Sequence, residues 1–413
     1  MKTLFCKIFS CLVVLFSSYI QATQINDIYS ASIPVENQLS QGQSSAFDQA
    51  LFAVVIKSSG QLDQQEDIAL LRSLLPAEPF VQAFSYRENP AYTLYLANLQ
   101  SEKARFELAD PESNQAESTV DDNTSSTDIQ TADQKAVTDD TIGIPLPFLL
   151  DVTFAPSLVE QKMTQLNIPI WGAVRPSVLV WVVIENEGER SILGTSDENI
   201  LISQLEQSSA VKGVPLFLPV ADLEDVNNIN IDELWGLFSN SAEQSSKRYN
   251  ADAVVIVRMK ESLEGNWAGN WLIELKGTQY YGSLIDKSSV SVIAALVANI
   301  ADTLSKKYAI GQQFDTSSDR LSIEVNEINS FDDFVDINNY LLGLPPVSDV
   351  KMTMVNSNKL YFHLKLLVSH EQFYEHIELG NTLEPIIEDD VEKSLEEQIE
   401  TNPIARFVWI SGK

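Results

Sequence analysis

Few residues in this chain are equipped for chemistry. His363, His370 and His376 are its only histidines. His363 alternates with Tyr361 and Lys365 in a strand-like run. His370 and His376 stand six apart, about 240° around a helix, so they do not share a face. Their segment, SHEQFYEH, approaches the H-E-x-x-H metalloprotease pattern, but its second histidine comes two positions late. No metal site is expected there. The only cysteines are Cys6 and Cys11, both inside an apolar N-terminal segment. A mature chain without that segment has no thiol for a disulfide, a metal or nucleophilic attack. No G-x-S-x-G elbow, phosphate-binding loop or G-x-G-x-x-G turn occurs. The two S-x-x-K tetrads, Ser209 with Lys212 and Ser348 with Lys351, lack the companion motifs of penicillin-binding enzymes. No cofactor is expected.

Three constellations remain. In ADLEDVNNINIDEL, Asp222, Glu224, Asp225, Asp232 and Glu233 follow an apolar strand, where open α/β sheets tend to bind ligands. Their hard oxygens suit a divalent cation, although the spacing fails the EF-hand pattern and a solvated loop with a helix cap is the commoner outcome. In GNWAGNW, Trp267, Gly269 and Trp271 fall on one strand face. That pattern makes either a flat platform for sugars or peptides or, more commonly, two core aromatics packed around a glycine. In IPIWGAVRPSVLVWVVIE, Trp171-Gly172 precedes Arg175-Pro176 and a continuous apolar run. Glycine permits a sharp change of direction, and proline at the first residue of a strand costs no ladder hydrogen bond. The pattern marks a joint between folding units, with Arg175 available as an ion-pair anchor for a carboxylate.

The elements that must position these residues can be read along the chain. The N-terminus, MKTLFCKIFSCLVVLFSSYIQAT, combines basic Lys2 and Lys7 with an apolar core too short to span a bilayer. It reads as a cleaved signal peptide over residues 1–22, which implies a periplasmic protein with no stable membrane span after cleavage. The formal net charge is −31, so nucleic acid and anionic lipid are excluded as partners. Residues 23–172 are expected to form an N-terminal α/β domain, with a helix in SSAFDQALFAVVIKSSG and strands in PFVQAFSYR and AYTLYLANL. Residues 109–141 hold nine acids, one lysine and no aromatic residue. They read as a disordered acidic insertion, because they cannot bury enough apolar surface to offset their ordering entropy.

Residues 173–313 give the order β-α-β-α-β-β-β-α, with SVLVWVVIE and VPLFLPV as buried strands. This is an α/β sandwich around a buried mixed sheet. Residues 318–388 give β-α-β-β-α-β, the ferredoxin-like plan, with Ser330 and Ser369 as helix caps. Residues 389–413 read as an acidic tail. The expected fold class is therefore α/β and α+β, in three small sandwich modules.

The motifs IPIWGAVRPSVLVWVVIE, GVPLFLPVADLED, LWGLF and KRYNADAVVIVRM, with the leading helix AFDQALFAVVIKSSG, resemble an uncharacterised family of exported proteobacterial proteins, the domain of unknown function 2066. The resemblance implies no catalytic residues. More distantly, SSKRYNADAVVIVRM is similar to the helix–strand unit of periplasmic TolB N-terminal and curli-secretion-like domains, which implies protein–protein contacts in the envelope. The expected function is thus a non-enzymatic interaction or assembly component of the cell envelope with an envelope protein as partner. The alternative is a periplasmic ligand- or cation-binding protein centred on Asp222, Asp225, Trp267 and Trp271.

Overall fold

The computed structural model describes residues 27–39, 42–109, 144–195, 197, 199–311, 320–380, 382–386 and 404–410. The expected signal peptide, the acidic insertion beyond Ala109 and residues 389–403 of the expected tail lie outside the described residues. The structure is mixed α/β with three sheets. The chain divides into two compact units, one drawn from residues 30–51 and 75–155 and the other from the remaining residues.

The smaller unit contains β1 (Ser30–Val35), the first half of α1 (Gln43–Ser59), β2 (Val81–Glu88), α3 (Pro90–Ala109) and β3 (Phe148–Phe154); α2 (Ile68–Arg72) belongs to the larger unit. The sheet order is β1-β3-β2, antiparallel throughout. Leu150, Val152 and Phe154 alternate along β3 and are buried, as strand periodicity requires. Phe47 of α1 meets Phe84 of β2 edge-to-face at 5.3 Å between ring centroids. The expected strand AYTLYLANL is instead the start of α3. Asn89 accepts from the Ala91 amide at 3.1 Å, and Pro90 occupies the first helical position, where its missing N–H costs nothing. This start signal and the helix-forming run after it outweigh the strand-like aromatic spacing.

In the larger unit, α4 (Pro156–Gln165) precedes the central sheet. That sheet comprises β4 (Val178–Asn186), β5 (Glu189–Ile192), β6 (Leu216–Phe217), β7 (Ala253–Glu261), β8 (Trp267–Leu275) and β9 (Thr278–Asp286), ordered β5-β4-β7-β8-β9 with β6 also on β4. The β4–β7 and β4–β6 pairs are parallel and the others antiparallel. Val178 to Val183 are fully buried, and each such aliphatic side chain contributes about 1.5–3 kcal/mol. Burial on both faces explains the unbroken apolar run. Val178, Val180 and Val182 pack with α5 (Ile200–Lys212) and α9 (Ser289–Tyr308). Leu179, Trp181 and Val183 pack with residues of α7 (Ile231–Trp235) and α8 (Ser239–Ser246), which follow α6 (Leu223–Asn228).

VPLFLPV supplies only two strand residues, Leu216 and Phe217, both half-buried. Pro215 and Pro219 bracket them and cannot donate to a ladder. Among the described residues, α9 alone is long and apolar enough to cross a membrane. Its apolar stripe, including Val292, Leu296, Ile300 and Leu304, is buried on the central sheet.

The C-terminal sheet comprises β10 (Arg320–Asn326), β11 (Val347–Asn356), β12 (Lys359–Leu366), β13 (Leu383–Pro385) and β14 (Ala405–Trp409), with α10 (Phe331–Gly343) and α11 (His370–Gly380). Its order, β11-β12-β10-β14-β13, is the ferredoxin-like arrangement with β14 inserted between the first and last strands. Ser330 and Asp333 form a capping box at the start of α10. β14 corrects the expected tail. Phe407 and Trp409 alternate into the core, and β14 pairs parallel to β10 and antiparallel to β13.

Candidate functional site

Arg175 is buried, and its partners are not carboxylates. Nε donates to Gly172 O at 2.9 Å. Nη1 donates to Gly213 O at 2.6 Å and Lys212 O at 3.1 Å, and Nη2 donates to Lys57 O and Trp171 O, each at 2.8 Å. The guanidinium lies 4.1 Å from the Trp171 ring centroid. Lys57 lies in the last turn of α1, while Lys212 and Gly213 end α5. These are the carbonyls a helix leaves without internal partners. Each helix C-terminus carries roughly half a negative charge, so two of them balance one guanidinium. Burial lowers the Arg175 pKa to about 9, with nearby Tyr29 acting in the opposite direction. Gly213 adopts φ +64°, and a Cβ there would lie 2.7 Å from Arg175 Nη1. The expected ion-pair anchor is therefore a double helix cap. Lys212 and Ser209, the first tetrad, are also engaged: Lys212 Nζ donates to Leu62 O at 2.7 Å and Ser209 donates to Val214 O.

The carboxylate cluster is organised around Arg248. Asp222 is the N-cap of α6 and accepts from the Glu224 and Asp225 amides. It also receives Arg248 Nη1 at 2.9 Å and Nη2 at 2.8 Å. Asp225 is buried and accepts from Ala221 N at 3.0 Å, Tyr249 Oη at 2.5 Å and Arg248 Nη1 at 3.2 Å. The hydrogen bond from Arg248 is the largest cause that lowers the Asp222 pKa to about 2. A divalent cation at Asp222 and Asp225 would have to displace this arginine. Asp232 is turned away, toward Arg190 at 2.7 Å. No group of three metal-ligating side chains occurs among the described residues.

Trp267 and Trp271 share the α9 side of β8 but form no platform. Trp271 is in the core and Trp267 packs against its margin. Trp271 pairs with Gly282 on β9, and a Cβ at Gly282 would lie 2.3 Å from the indole. The ring therefore covers the glycine of the neighbouring strand. The histidines are also dispersed, with His376 buried against Tyr308 and its Nε2 3.0 Å from Tyr308 O.

A separate concavity lies beyond the carboxyl ends of β4 and β7. It is an open cleft of about 1330 Å³ between the β4–β5 and β7–β8 hairpins. Its lining holds Glu185, Glu187, Glu189, Glu261 and Glu264 against Arg190 and Lys260. Leu263, at the tip of the second hairpin, is fully exposed. Arg190 pairs with Glu185 at 3.0 Å and stacks over Trp235, 4.5 Å from its ring centroid. Arg258 anchors the Trp235 backbone, donating to its carbonyl at 2.7 Å. Sequence reasoning missed this cleft because it missed β5. The available signal was Glu187-Gly188, both at positive φ, the conformation of a two-residue hairpin turn.

Fold and site thus define a mixed α/β protein in which Arg175, Arg248 and Trp271 are engaged by groups of the chain itself. Residues 22–172 match the family model described as Domain of unknown function (DUF8605). This is a different domain from the domain of unknown function 2066, and it overturns that resemblance. No curated protein matches the sequence. Among solved structures, an uncharacterized protein is similar at 11% identity over 32% of this chain and 91% of its own, with a TM-score of 0.15. A homoserine dehydrogenase of S. aureus is similar at 11% identity over 26% of this chain and 29% of its own, with a TM-score of 0.12.

Proposed function

We propose that this chain is a non-enzymatic periplasmic protein, exported by a cleaved signal peptide, that acts as an interaction or assembly component of the bacterial cell envelope. Its contact surface is the cleft between the two hairpins. The observation that carries this reading is the character of that cleft. It is wide, acid-rich and rimmed by the fully exposed Leu263, whereas small-ligand sites are enclosed and mostly apolar. Five glutamates against one arginine and one lysine favour a partner that presents basic residues around an apolar anchor.

The test is in-cell crosslinking and pull-down of the native protein beside a Glu189→Lys, Glu261→Lys, Leu263→Asp triple variant. All three side chains are exposed, so the fold is retained. The native chain should retain an envelope protein that the variant loses. Equal retention by both, or none by either, rejects the cleft as the contact surface.

A further inference from the structure

The sheet edges differ in how they are guarded. An unpaired edge strand is a template for another strand, and proteins blunt it with short length, proline, charge or bulges. β1 carries Pro34, and β2 carries a register shift after Val81 together with Arg87 and Glu88. β5 has four residues, including Glu189 and Arg190, and β6 has two, next to Pro215. β11 has two register shifts as well as Lys351, and β13 has three residues ending in Pro385. β9 is the exception among the described edge strands. It runs nine residues in unbroken register against β8, from Trp267↔Asp286 to Leu275↔Thr278. It has no proline, no lysine, no arginine and a single acid at its end. Its Tyr281 and Ile285 are 62% and 77% exposed.

We infer that the β9 edge is a self-association surface, occupied by β9 of a second copy of this chain in antiparallel pairing about a two-fold axis at Gly282. The strand is complementary to itself in that register. Tyr280 lies opposite Leu284, Tyr281 opposite Ser283, Gln279 opposite Ile285 and Thr278 opposite Asp286. Aromatic and aliphatic side chains meet, and no like charges face each other, which is the condition for favourable cross-strand pairs. A two-fold interface of this kind closes on itself, because each β9 edge is used by the other copy and only the guarded edges remain. In a chain of net charge −31, a nine-residue edge with one acid is also where two copies approach with least repulsion. The remaining long-range repulsion is screened by salt, so association strengthens as ionic strength rises. This inference rests on the edge strand and is independent of the cleft.

The test is sedimentation velocity of the full chain at micromolar to tenth-millimolar concentration, at low and at physiological salt. Two double variants accompany it, Tyr281→Lys with Ser283→Lys and Tyr281→Glu with Ser283→Glu. Residues 281 and 283 are exposed, and circular dichroism checks that each variant folds. The native chain should dimerise more tightly at the higher salt. In the proposed register each variant places like charges directly opposite one another, and its dimer should weaken at least about tenfold. An equimolar mixture of the two variants should restore a heterodimer, an outcome no general loss of stability produces. A native chain that stays monomeric overturns the inference, as does a native dimer unaffected by either variant. A monomer that loses a crosslinked foreign protein on the same substitutions also overturns it, and assigns β9 to an extended strand of that protein instead. None of these results bears on the cleft, whose own substitutions lie elsewhere.

Discussion

Arg175→Met tests the central structural argument. The substitution keeps the length of the side chain and its contact with Trp171 while removing the charge and all five donated hydrogen bonds. At about 1 kcal/mol for each buried carbonyl left unpaired, the loss is ~5 kcal/mol. The stacked cation over Trp171, at 4.1 Å, adds ~2 kcal/mol at a desolvated site. Against this stands the penalty of holding a guanidinium out of water, several kcal/mol, which the methionine variant no longer bears. The net expectation is a destabilisation of ~3 kcal/mol. Arg175→Lys should fall between native and Met, because an ammonium has three donors and cannot reach two helix ends at once. Urea unfolding followed by tryptophan fluorescence suits the measurement. All six tryptophans, Trp171, Trp181, Trp235, Trp267, Trp271 and Trp409, lie in the same compact unit as Arg175. A loss below about 1 kcal/mol for the methionine variant would refute the double-cap reasoning, since orphaned helix-end carbonyls cost at least that.

Three further outcomes follow from the geometry. Gly282→Ala should destabilise the chain by about 1–3 kcal/mol, because its Cβ would meet the Trp271 indole at 2.3 Å; an unchanged urea midpoint would show that the indole yields freely. Asp222, with its carboxyl held near 2 by Arg248, is a group whose folded pKa is depressed from the usual value of about 4. Its contribution to stability is complete above that usual value and disappears as pH falls through the folded one, so Asp222→Asn should flatten the decline in stability between about pH 4 and 2. Calcium should leave the melting temperature unchanged, because Arg248 and Tyr249 already take the Asp222 and Asp225 oxygens. A calcium-dependent rise that vanishes in Asp222→Asn would reverse this assignment.

Which parts of the fold could be read in advance follows from the range of the interactions involved. Ser330 with Asp333 declares a helix start within four residues, because the donors it satisfies are in the next turn. The run from Val178 to Ile184 declares a strand buried on both faces, because burial depends on side-chain type at every position. The segment after Ala91 was misread because its aromatic spacing fits a strand locally, while Asn89-Pro90 starts a helix. β14 was missed because three strand residues facing the core do not reveal which distant strands have room for them.

The candidate site follows the same division. By itself the sequence determined that this chain has three histidines, two cysteines near its N-terminus and no phosphate-loop motif, that it is strongly acidic, and that its modules are α/β. Those properties are sums over residue types and short-range periodicities, and they need no coordinates. Only the tertiary structure decided that Arg175 joins helix ends at Lys57 and Gly213, 118 and 38 residues away in the chain. It alone decided that Arg248 bridges Asp222 and Asp225, and that β9 lies at an edge. Each of these depends on which groups distant segments bring within hydrogen-bond reach, and on which side of a strand remains unpaired. No window along the chain contains that information, because it is set by how the sheets close and where the helices end against them.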